Sequence, residues 1–441
     1  MERARKGLVY AAVLLICGAG TLLGGPGSLE HLGQPLARLL LQLIVIIAFA
    51  RLFGALFRRL GQPAVVGEIV AGIVLGPSVF GAAAPRLSGL LFEASSLTTL
   101  KLFAEIGVVL FLFVVGLELD LTRLRKMAHT AVVVSQASIV VPYGLGVVLS
   151  LFLYRELAPP GVTFLAFALF MGIAMSITAF PVLARILSER RLTGTHLGDT
   201  AITCAAVNDV TAWMILAVVV AAVGTGGFRP AAATVAWTLA FSIAMIRFVR
   251  PQLARLLARA NGGALPGRTA MTGALVFLLA SALATESIGI HALFGAFLAG
   301  AVIPREAGLR EALTLRLEEM TSVLLLPLFF AFTGLRTDIG LLGDARGWLL
   351  CGVIVIVATA GKLGGTLFAA RLTGFGWVDS FALGALMNTR GLMELIALNL
   401  GYELGILSSR AFAMLVLMAL ATTLATGPLL SLADRLRPAR K

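Results

Sequence analysis

Four charged side chains lie deep inside long apolar stretches of the 441-residue sequence, namely Asp209, Lys362, Arg390 and Glu394. A charge near the centre of a lipid bilayer costs at least ~2.5–3.5 kcal/mol, so a membrane-spanning chain retains one only for a reason. Asp209 directly follows Asn208, and together they supply carboxylate and amide oxygens. Such oxygens suit hard cations, and a carboxylate also takes up a proton. We therefore predict that Asp209 binds a monovalent cation or a proton, each excluding the other.

The same charges also admit purely structural interpretations. Lys362, which has small residues on both sides, could neutralise Asp209 in a transporter or form a fixed ion pair with it that has no transport role. Arg390 and Glu394 are four residues apart, so they share a helix face. They can pair within that helix or brace it against another helix.

Two apolar segments are poorly suited to continuous helices. In Met175-Ser-Ile-Thr-Ala-Phe-Pro181, the proline lacks a backbone donor and clashes with the preceding turn, so the helix should break near Thr178. The segment Met387-Asn-Thr-Arg-Gly391 combines a glycine with local polarity and predicts a second break. Broken helices at mid-membrane expose carbonyls and half-helix ends that can coordinate ions. An ordinary kink is the alternative at either place.

Composition identifies the class of protein. Hydrophobic residues make up 59% of the chain and charged residues 13%, against roughly 45–50% and about 25% in soluble domains. These values exclude a disordered chain, a disulfide framework and an ordinary soluble globule, and they predict an all-α polytopic membrane protein. The net charge of +13 comes without a basic stripe carrying aromatics, so no nucleic-acid partner is expected. Walker, GxSxG and HExxH motifs are absent, so we expect neither an enzyme nor a cofactor.

Apolar runs between charged or Pro/Gly-rich interruptions predict fourteen spans. Their approximate limits are 7–25, 35–57, 63–82, 97–117, 127–153, 161–187, 195–224, 231–248, 270–288, 290–303, 318–335, 347–370, 378–400 and 409–432. With a cytoplasmic N-terminus, 25 of the 35 lysines and arginines fall in cytoplasmic segments and 8 in outer ones. The positive-inside rule therefore places both termini in the cytoplasm.

The sequence also contains an internal repeat. Phe111-Leu-Phe-Val-Val-Gly-Leu-Glu-Leu-Asp120 aligns with Phe329-Phe-Ala-Phe-Thr-Gly-Leu-Arg-Thr-Asp338. Ahead of them, Ala71-Gly72 through Pro77 corresponds to Ala299-Gly300 through Pro304. Equivalent spans are an odd number of crossings apart, so the two halves insert in opposite directions, as is typical of secondary transporters.

This repeat predicts the domain organisation. Six helices over 35–224 form repeat 1, a helix within 225–268 connects the halves, and six helices over 269–432 form repeat 2. A short basic tail, 433–441, follows. Residues 1–34 are predicted to form an extra N-terminal helix, with a signal-like segment as the alternative.

Ten segments, taken together, resemble the monovalent cation:proton antiporter superfamily. The similarity is to the branch of bacterial sodium or potassium/proton antiporters and plant cation/proton exchangers, and it extends over about 35–432 in the family's order. The segments are Gln62-Pro63, Gly67-Glu68, Gly72-Ile-Val-Leu-Gly-Pro77, Phe113-Val-Val-Gly-Leu-Glu-Leu-Asp120, Thr178-Ala-Phe-Pro-Val-Leu-Ala-Arg185, Ala206-Val-Asn-Asp-Val210, Ala212-Trp213, His291-Ala-Leu-Phe-Gly-Ala-Phe297, Gly361-Lys362 and Arg390-Gly-Leu-Met-Glu-Leu395.

The resemblance implies a sodium/proton-antiporter-like fold of about 13–14 transmembrane helices, with inverted six-helix repeats and two broken helices that cross. It further implies a homodimer in which a scaffold domain stays fixed while a core domain moves. Asp209 would be the alternating cation and proton carrier, Asn208 its neighbour in the family's paired position, and Lys362 the basic partner. Thr178 would lie at the first crossing.

The second crossing helix would contain Arg390, and we expect Pro181, Arg390 and Glu394 to support the crossing. The pair Asn208-Asp209 leaves one carboxylate where electrogenic members have two, whereas Lys362 is typical of the electrogenic set. Both stoichiometries therefore stay open.

The sequence thus predicts a secondary active transporter that exchanges Na⁺ or K⁺ for H⁺ in the cell's inner (plasma) membrane, for pH and cation homeostasis. Two alternatives use the same scaffold. One is a gated cation channel, and the other is a transporter of organic anions coupled to Na⁺.

Overall fold

The computed structural model of the chain describes residues 34–118, 129–224, 228–260, 268–304 and 308–436. These ranges contain helices and connecting segments but no β-strand. The helix predicted over 7–25 lies outside them, as does most of the tail 433–441.

The described residues form helices of very different lengths. They are α1 (Pro35–Arg59), α2 (Ala64–Leu75), α3 (Pro85–Leu91), α4 (Ala94–Glu118), α5 (His129–Leu157), α6 (Phe164–Ser176), α7 (Phe180–Glu189), α8 (His196–Gly224), α9 (Phe228–Ala244), α10 (Arg250–Ala260), α11 (Arg268–Ile288), α12 (Ala292–Val302), α13 (Leu309–Met320), α14 (Leu326–Leu335), α15 (Ala345–Leu372), α16 (Trp377–Met387), α17 (Leu392–Glu403) and α18 (Ser409–Leu436). In the same ranges, π-helical turns occur at Pro77–Gly81, Met245–Val249 and Thr321–Leu325, and a 3-10 turn occurs at Ile339–Leu342.

The number of spans agrees closely with the prediction. Eleven stretches of the described chain are long and apolar enough to cross a membrane, and the bent pair α16–α17 makes twelve. Thirteen were predicted for residues 35–432. The remaining one, 290–303, corresponds to α12, which has only 11 residues and is too short to cross a bilayer alone.

The first broken helix consists of α6 and α7. Between them, Ile177 and Ala179 have extended backbone, with ψ of 140° and 100°. Pro181 lies in the first turn of α7, where a missing N–H leaves no helical hydrogen bond unmade. The break predicted near Thr178 is therefore confirmed.

The second broken helix consists of α16 and α17, which are bent by 44° relative to one another. The helix ends at Met387, and α17 starts after Gly391. The two breaks cross through direct hydrogen bonds. The Thr178 hydroxyl donates to the Met387 carbonyl at 2.9 Å, and the Ala179 amide donates to the Thr389 carbonyl at 3.0 Å.

The chain divides into two compact units. One comprises the described residues up to Val108 together with Thr321–Gly340, and within it α2 packs against α1 and α14. The other comprises Val109–Met320 and the described residues from Leu341 onwards. Within this second unit, α5 packs against α6, α8 and α15, and α16 packs against α15 and α18. Both broken helices belong to the second unit.

Pairs of glycines bring helices from the two sequence halves into close contact. Gly72 on α2 meets Gly334 on α14, where a Cβ on either residue would collide with the opposing backbone. Gly116 on α4 meets Gly300 on α12 in the same way. In the predicted repeat, Gly72 corresponds to Gly300 and Gly116 to Gly334. Each contact therefore joins one helix from each half, and exchanging the halves converts one contact into the other.

Candidate ion-binding site

Asp209 lies midway along α8, beside the first break. Its side chain is buried, at 4% exposure. The backbone N–H of Phe180, the first residue of α7, hydrogen-bonds to its carboxylate. The N-terminus of a helix carries a partial positive charge, which stabilises an anion placed there. Oδ1 of Asp209 has no hydrogen-bond partner in the described part of the chain, so it is available to a proton or a cation.

Asn208 holds the backbone of the first break in place. Its Oδ1 accepts a hydrogen bond from the Thr178 amide at 3.0 Å, and its Nδ2 donates to Ser138 Oγ at 3.1 Å. The Ser138 hydroxyl in turn donates to the Ser135 carbonyl at 2.8 Å. Because the extended segment lacks helical partners, this amide would otherwise be buried without an acceptor. Asn208 is therefore a structural neighbour of Asp209 whose amide oxygen is already engaged.

Lys362 is fully buried on α15 and binds three oxygens. Its Nζ donates to the Ser176 carbonyl at 2.5 Å, the Thr178 hydroxyl at 2.6 Å and the Ser138 carbonyl at 2.9 Å. No direct ion pair joins it to Asp209 among the described residues. The proposed charge partnership is therefore indirect, with Lys362 at the C-terminal end of α6 and Asp209 at the N-terminal end of α7.

Arg390 and Glu394 pair with one another, as their spacing predicted. Arg390 Nη1 and Glu394 Oε2 are 3.1 Å apart, and both side chains are fully buried. The guanidinium also donates to the carbonyls of Ala174 and Met175, at 2.5 and 2.7 Å. Arg390 thus braces its own broken helix against the end of the other one, which is the structural alternative weighed above.

The C-terminal end of α6 consequently receives two buried basic side chains. Lys362 and Arg390 bind the carbonyls of its last three residues, Ala174, Met175 and Ser176. These carbonyls have no partners within the helix and form the negative end of its dipole. The site therefore places basic side chains at the negative end of one half-helix and a carboxylic acid at the positive end of the next.

Threonines of α18 form hydrogen bonds with residues of the second break. These contacts were not predicted from the sequence. Thr423 Oγ1 accepts from the Arg390 amide and donates to the Arg390 carbonyl, both at 2.9 Å. The Thr422 carbonyl accepts from Asn388 Nδ2 at 3.3 Å. Ser138 on α5 was also missed. Their only signal is that they are hydroxyl residues in apolar helices, which many transmembrane helices share.

Comparison with known proteins identifies the family of the chain. Residues 44–432 match the family described as "Sodium/hydrogen exchanger, transmembrane". The chain is 43% identical over 392 residues to the Na(+)/H(+) antiporter NhaS4 of Synechocystis sp., covering 89% of this chain and 96% of that protein. It is 40% identical over 407 residues to Cation/H(+) antiporter 19 of Arabidopsis thaliana, covering 91% of this chain but only 50% of the plant protein.

A solved structure shows the same fold. The sodium proton antiporter MjNhaP1 from Methanocaldococcus jannaschii superposes with a TM-score of 0.63 at 14% identity, over 90% of this chain and 99% of that one. The family match spans most of the chain, and the cyanobacterial relative is similar over nearly its whole length. The chain belongs to the sodium/hydrogen exchanger family.

Proposed function

We propose that the chain is a secondary active transporter that exchanges a monovalent cation, Na⁺ or K⁺, for H⁺ by alternating access. Asp209 carries this proposal, because its carboxylate is buried at the positive end of α7 with one oxygen free of protein partners. The family of the chain and the antiporter names of its relatives support the same function.

The proposed mechanism is competition for one carboxylate. A proton bound to Asp209 removes its negative charge, and a bound monovalent cation compensates the same charge. An unloaded carboxylate is costly to move through an apolar barrier, so only the loaded forms cross. Because one load must leave before the other binds, cation movement in one direction drives proton movement in the other.

Thr178 holds the geometry around this carboxylate. Its amide is fixed by Asn208, and its hydroxyl accepts from Lys362 and donates to the second broken helix. We propose that Lys362 acts as the basic partner through Thr178, keeping the end of α6 close to Asp209. Pro181, Arg390 and Glu394 support the two half-helices.

The assembly and orientation form part of the same proposal. The excess of lysine and arginine in alternate connecting segments supports cytoplasmic N- and C-termini in a cell's inner membrane. The resemblance of the sequence to the antiporter superfamily supports a homodimer in the lipid bilayer. Regulation of cellular pH and cation content would follow from such exchange.

Exchange in proteoliposomes tests the function. Vesicles that contain the purified protein, a pH-sensitive dye and an imposed pH gradient receive Na⁺, K⁺ or Li⁺ in turn. Wild-type protein should dissipate the gradient with at least one cation, and Asp209→Asn should lose this activity while keeping its thermal unfolding midpoint. Asp199→Asn is the matched control and should leave exchange intact, because Asp199 is an exposed residue in the first turn of the same helix. Full activity of Asp209→Asn would refute the carrier role, and unitary cation currents would indicate a channel.

A further inference from the structure

Trp213 is a buried aromatic residue one helical turn beyond Asp209 on α8. Its side chain is 4% exposed. Long side chains in helices lean towards the N-terminus and residues four apart share a helix face, so Trp213 and Asp209 are neighbours on one face of α8. In the described part of the chain, Nε1 of Trp213 has no hydrogen-bond partner. A buried donor without an acceptor is energetically costly, so this N–H is expected to have a hydrogen-bond partner.

The free oxygen of Asp209 is complementary to this N–H. Oδ1 is an acceptor without a donor, and the indole N–H is a donor without an acceptor. Side chains four residues apart on a helix have Cβ atoms roughly 5–6 Å apart. A water molecule between the two groups can accept from Nε1 and donate to Oδ1, which satisfies both.

The indole ring is held in place from the other side. Trp213 stacks on Phe297 of α12, with ring centroids 6.4 Å apart and planes inclined by 24°. Phe297 is itself buried, at 6% exposure. This contact restrains the ring without using its N–H, so packing and hydrogen bonding at Trp213 can be separated experimentally.

We infer that Trp213 is a positioning residue for the transported cation, holding through its indole N–H a water molecule that bridges to Asp209 Oδ1 and remains as a ligand of the bound cation. The water oxygen has a second lone pair, which faces the cation while the first accepts from Nε1. This inference rests on the proposed function, because it assigns Trp213 to the same ion site. It adds a water-mediated ligand to a site whose direct protein ligands are few.

Transport kinetics separate the N–H from the ring. Trp213→Phe keeps an aromatic ring against Phe297 and removes the donor, whereas Phe297→Leu keeps the donor and removes the stacking partner. Trp213→Phe should raise the cation KM about tenfold, the change expected for one hydrogen bond in the cation site, with kcat within about twofold of wild type. Phe297→Leu should leave the cation KM within about twofold of wild type.

Fluorescence gives a readout that does not require transport. The sequence has four tryptophans, and the other three are 53–66% exposed, namely Trp237, Trp348 and Trp377. Replacing those three by Phe leaves Trp213 as the sole indole. Its emission should change on titration with Na⁺ or K⁺, whichever is exchanged, and the change should disappear when Asp209→Asn is added.

The outcomes distinguish this inference from the proposed function. If wild-type vesicles exchange no cation for protons, the proposed function itself fails. If wild type exchanges cations but Trp213→Phe keeps the wild-type KM, or Phe297→Leu raises KM equally, the water-mediated role is overturned. If Trp213→Phe does not fold, the fluorescence titration decides instead. The water-mediated role is overturned if the emission of the single-tryptophan protein does not change at a saturating cation concentration.

Discussion

The two broken helices solve the same backbone problem and differ in the state of the carboxylate that lies at each break. In the first, the amide of Thr178 donates to the Asn208 side chain on α8. In the second, the amide of Arg390 donates to the Thr423 side chain on α18. In both, the long helix that follows in the chain supplies an oxygen to an amide that the break has deprived of its helical partner.

The carboxylates beside these breaks are in contrasting states. Glu394 commits Oε2 to Arg390, whose guanidinium also binds two carbonyls of α6. Asp209 forms no ion pair among the described residues; each carboxylate has one oxygen without a hydrogen-bond partner there, Oδ1 in Asp209 and Oε1 in Glu394. A broken helix therefore does not by itself make an ion site. The carboxylate at the second break is held in an ion pair, and the carboxylate beside the first break forms none among the described residues.

The largest effect is expected at the second break. Arg390→Met leaves Glu394 buried without a counter-charge and should destabilise the protein by about 3–5 kcal/mol. The measurement is the thermal unfolding midpoint in detergent, compared with wild type.

A paired variant shows whether that loss arises from the charge. In Arg390→Met with Glu394→Met, neither member of the pair remains as an unpaired buried charge, so a large part of the lost stability should return. If the double variant is as unstable as the single one, the contacts of Arg390 with α6 outweigh its pairing with Glu394. If Arg390→Met itself keeps the wild-type midpoint, Arg390 is not the counter-charge that stabilises buried Glu394.

A smaller effect is expected at the two side chains that accept hydrogen bonds from backbone amides of the breaks, Asn208 and Thr423. Asn208→Ala and Thr423→Val each leave one buried backbone amide without its acceptor, and each should lower the free energy of unfolding by about 1–3 kcal/mol. Their effects on exchange should differ, because only Asn208 adjoins the carboxylate that carries the ions. Asn208→Ala should slow cation/proton exchange in proteoliposomes at equal protein content, and Thr423→Val should not. Equal slowing by both variants would mean that the two breaks contribute alike to transport.

The smallest effect is expected from the hydroxyl side chains that contact Asn208 in one case and Thr389 in the other. Ser138 Oγ supports Asn208 at 3.1 Å, and Thr426 Oγ1 contacts Thr389 Oγ1 at 3.4 Å in the second break. Ser138→Ala and Thr426→Val should each cost about 1 kcal/mol. Only Ser138→Ala should also raise the cation KM, which initial exchange rates over a range of cation concentrations would show. A raised KM in Thr426→Val alone would reverse the assignment.

Much of this arrangement could be predicted from the sequence, because its strongest signals are energetic. Charges inside apolar runs are costly, which identified Asp209, Lys362 and the Arg390–Glu394 pair. Pro181 and Gly391 marked both breaks, since proline and glycine interrupt helices through local chemistry.

The partners of these charges could not be predicted in the same way. Lys362 was expected to neutralise Asp209; it forms no direct ion pair with Asp209 among the described residues, and its Nζ binds the Ser176 carbonyl at the end of α6. This acceptor belongs to the backbone, so no residue type indicates it, and it becomes available only because the helix ends at Ser176. Thr423 and Ser138 were missed because hydroxyl residues in apolar helices usually bond within their own turn.

Proton release on cation binding tests most directly whether a proton and a cation compete for Asp209. Purified protein in weakly buffered detergent solution, with a pH-sensitive dye, is titrated with the cation that it exchanges. Competition for Asp209 predicts release of up to about one proton per chain, because the cation needs the deprotonated carboxylate. Asp209→Asn should release none, and Thr423→Val should release as much as wild type. Cation binding without proton release, or undiminished release from Asp209→Asn, would contradict the central claim that one carboxylate carries both ions.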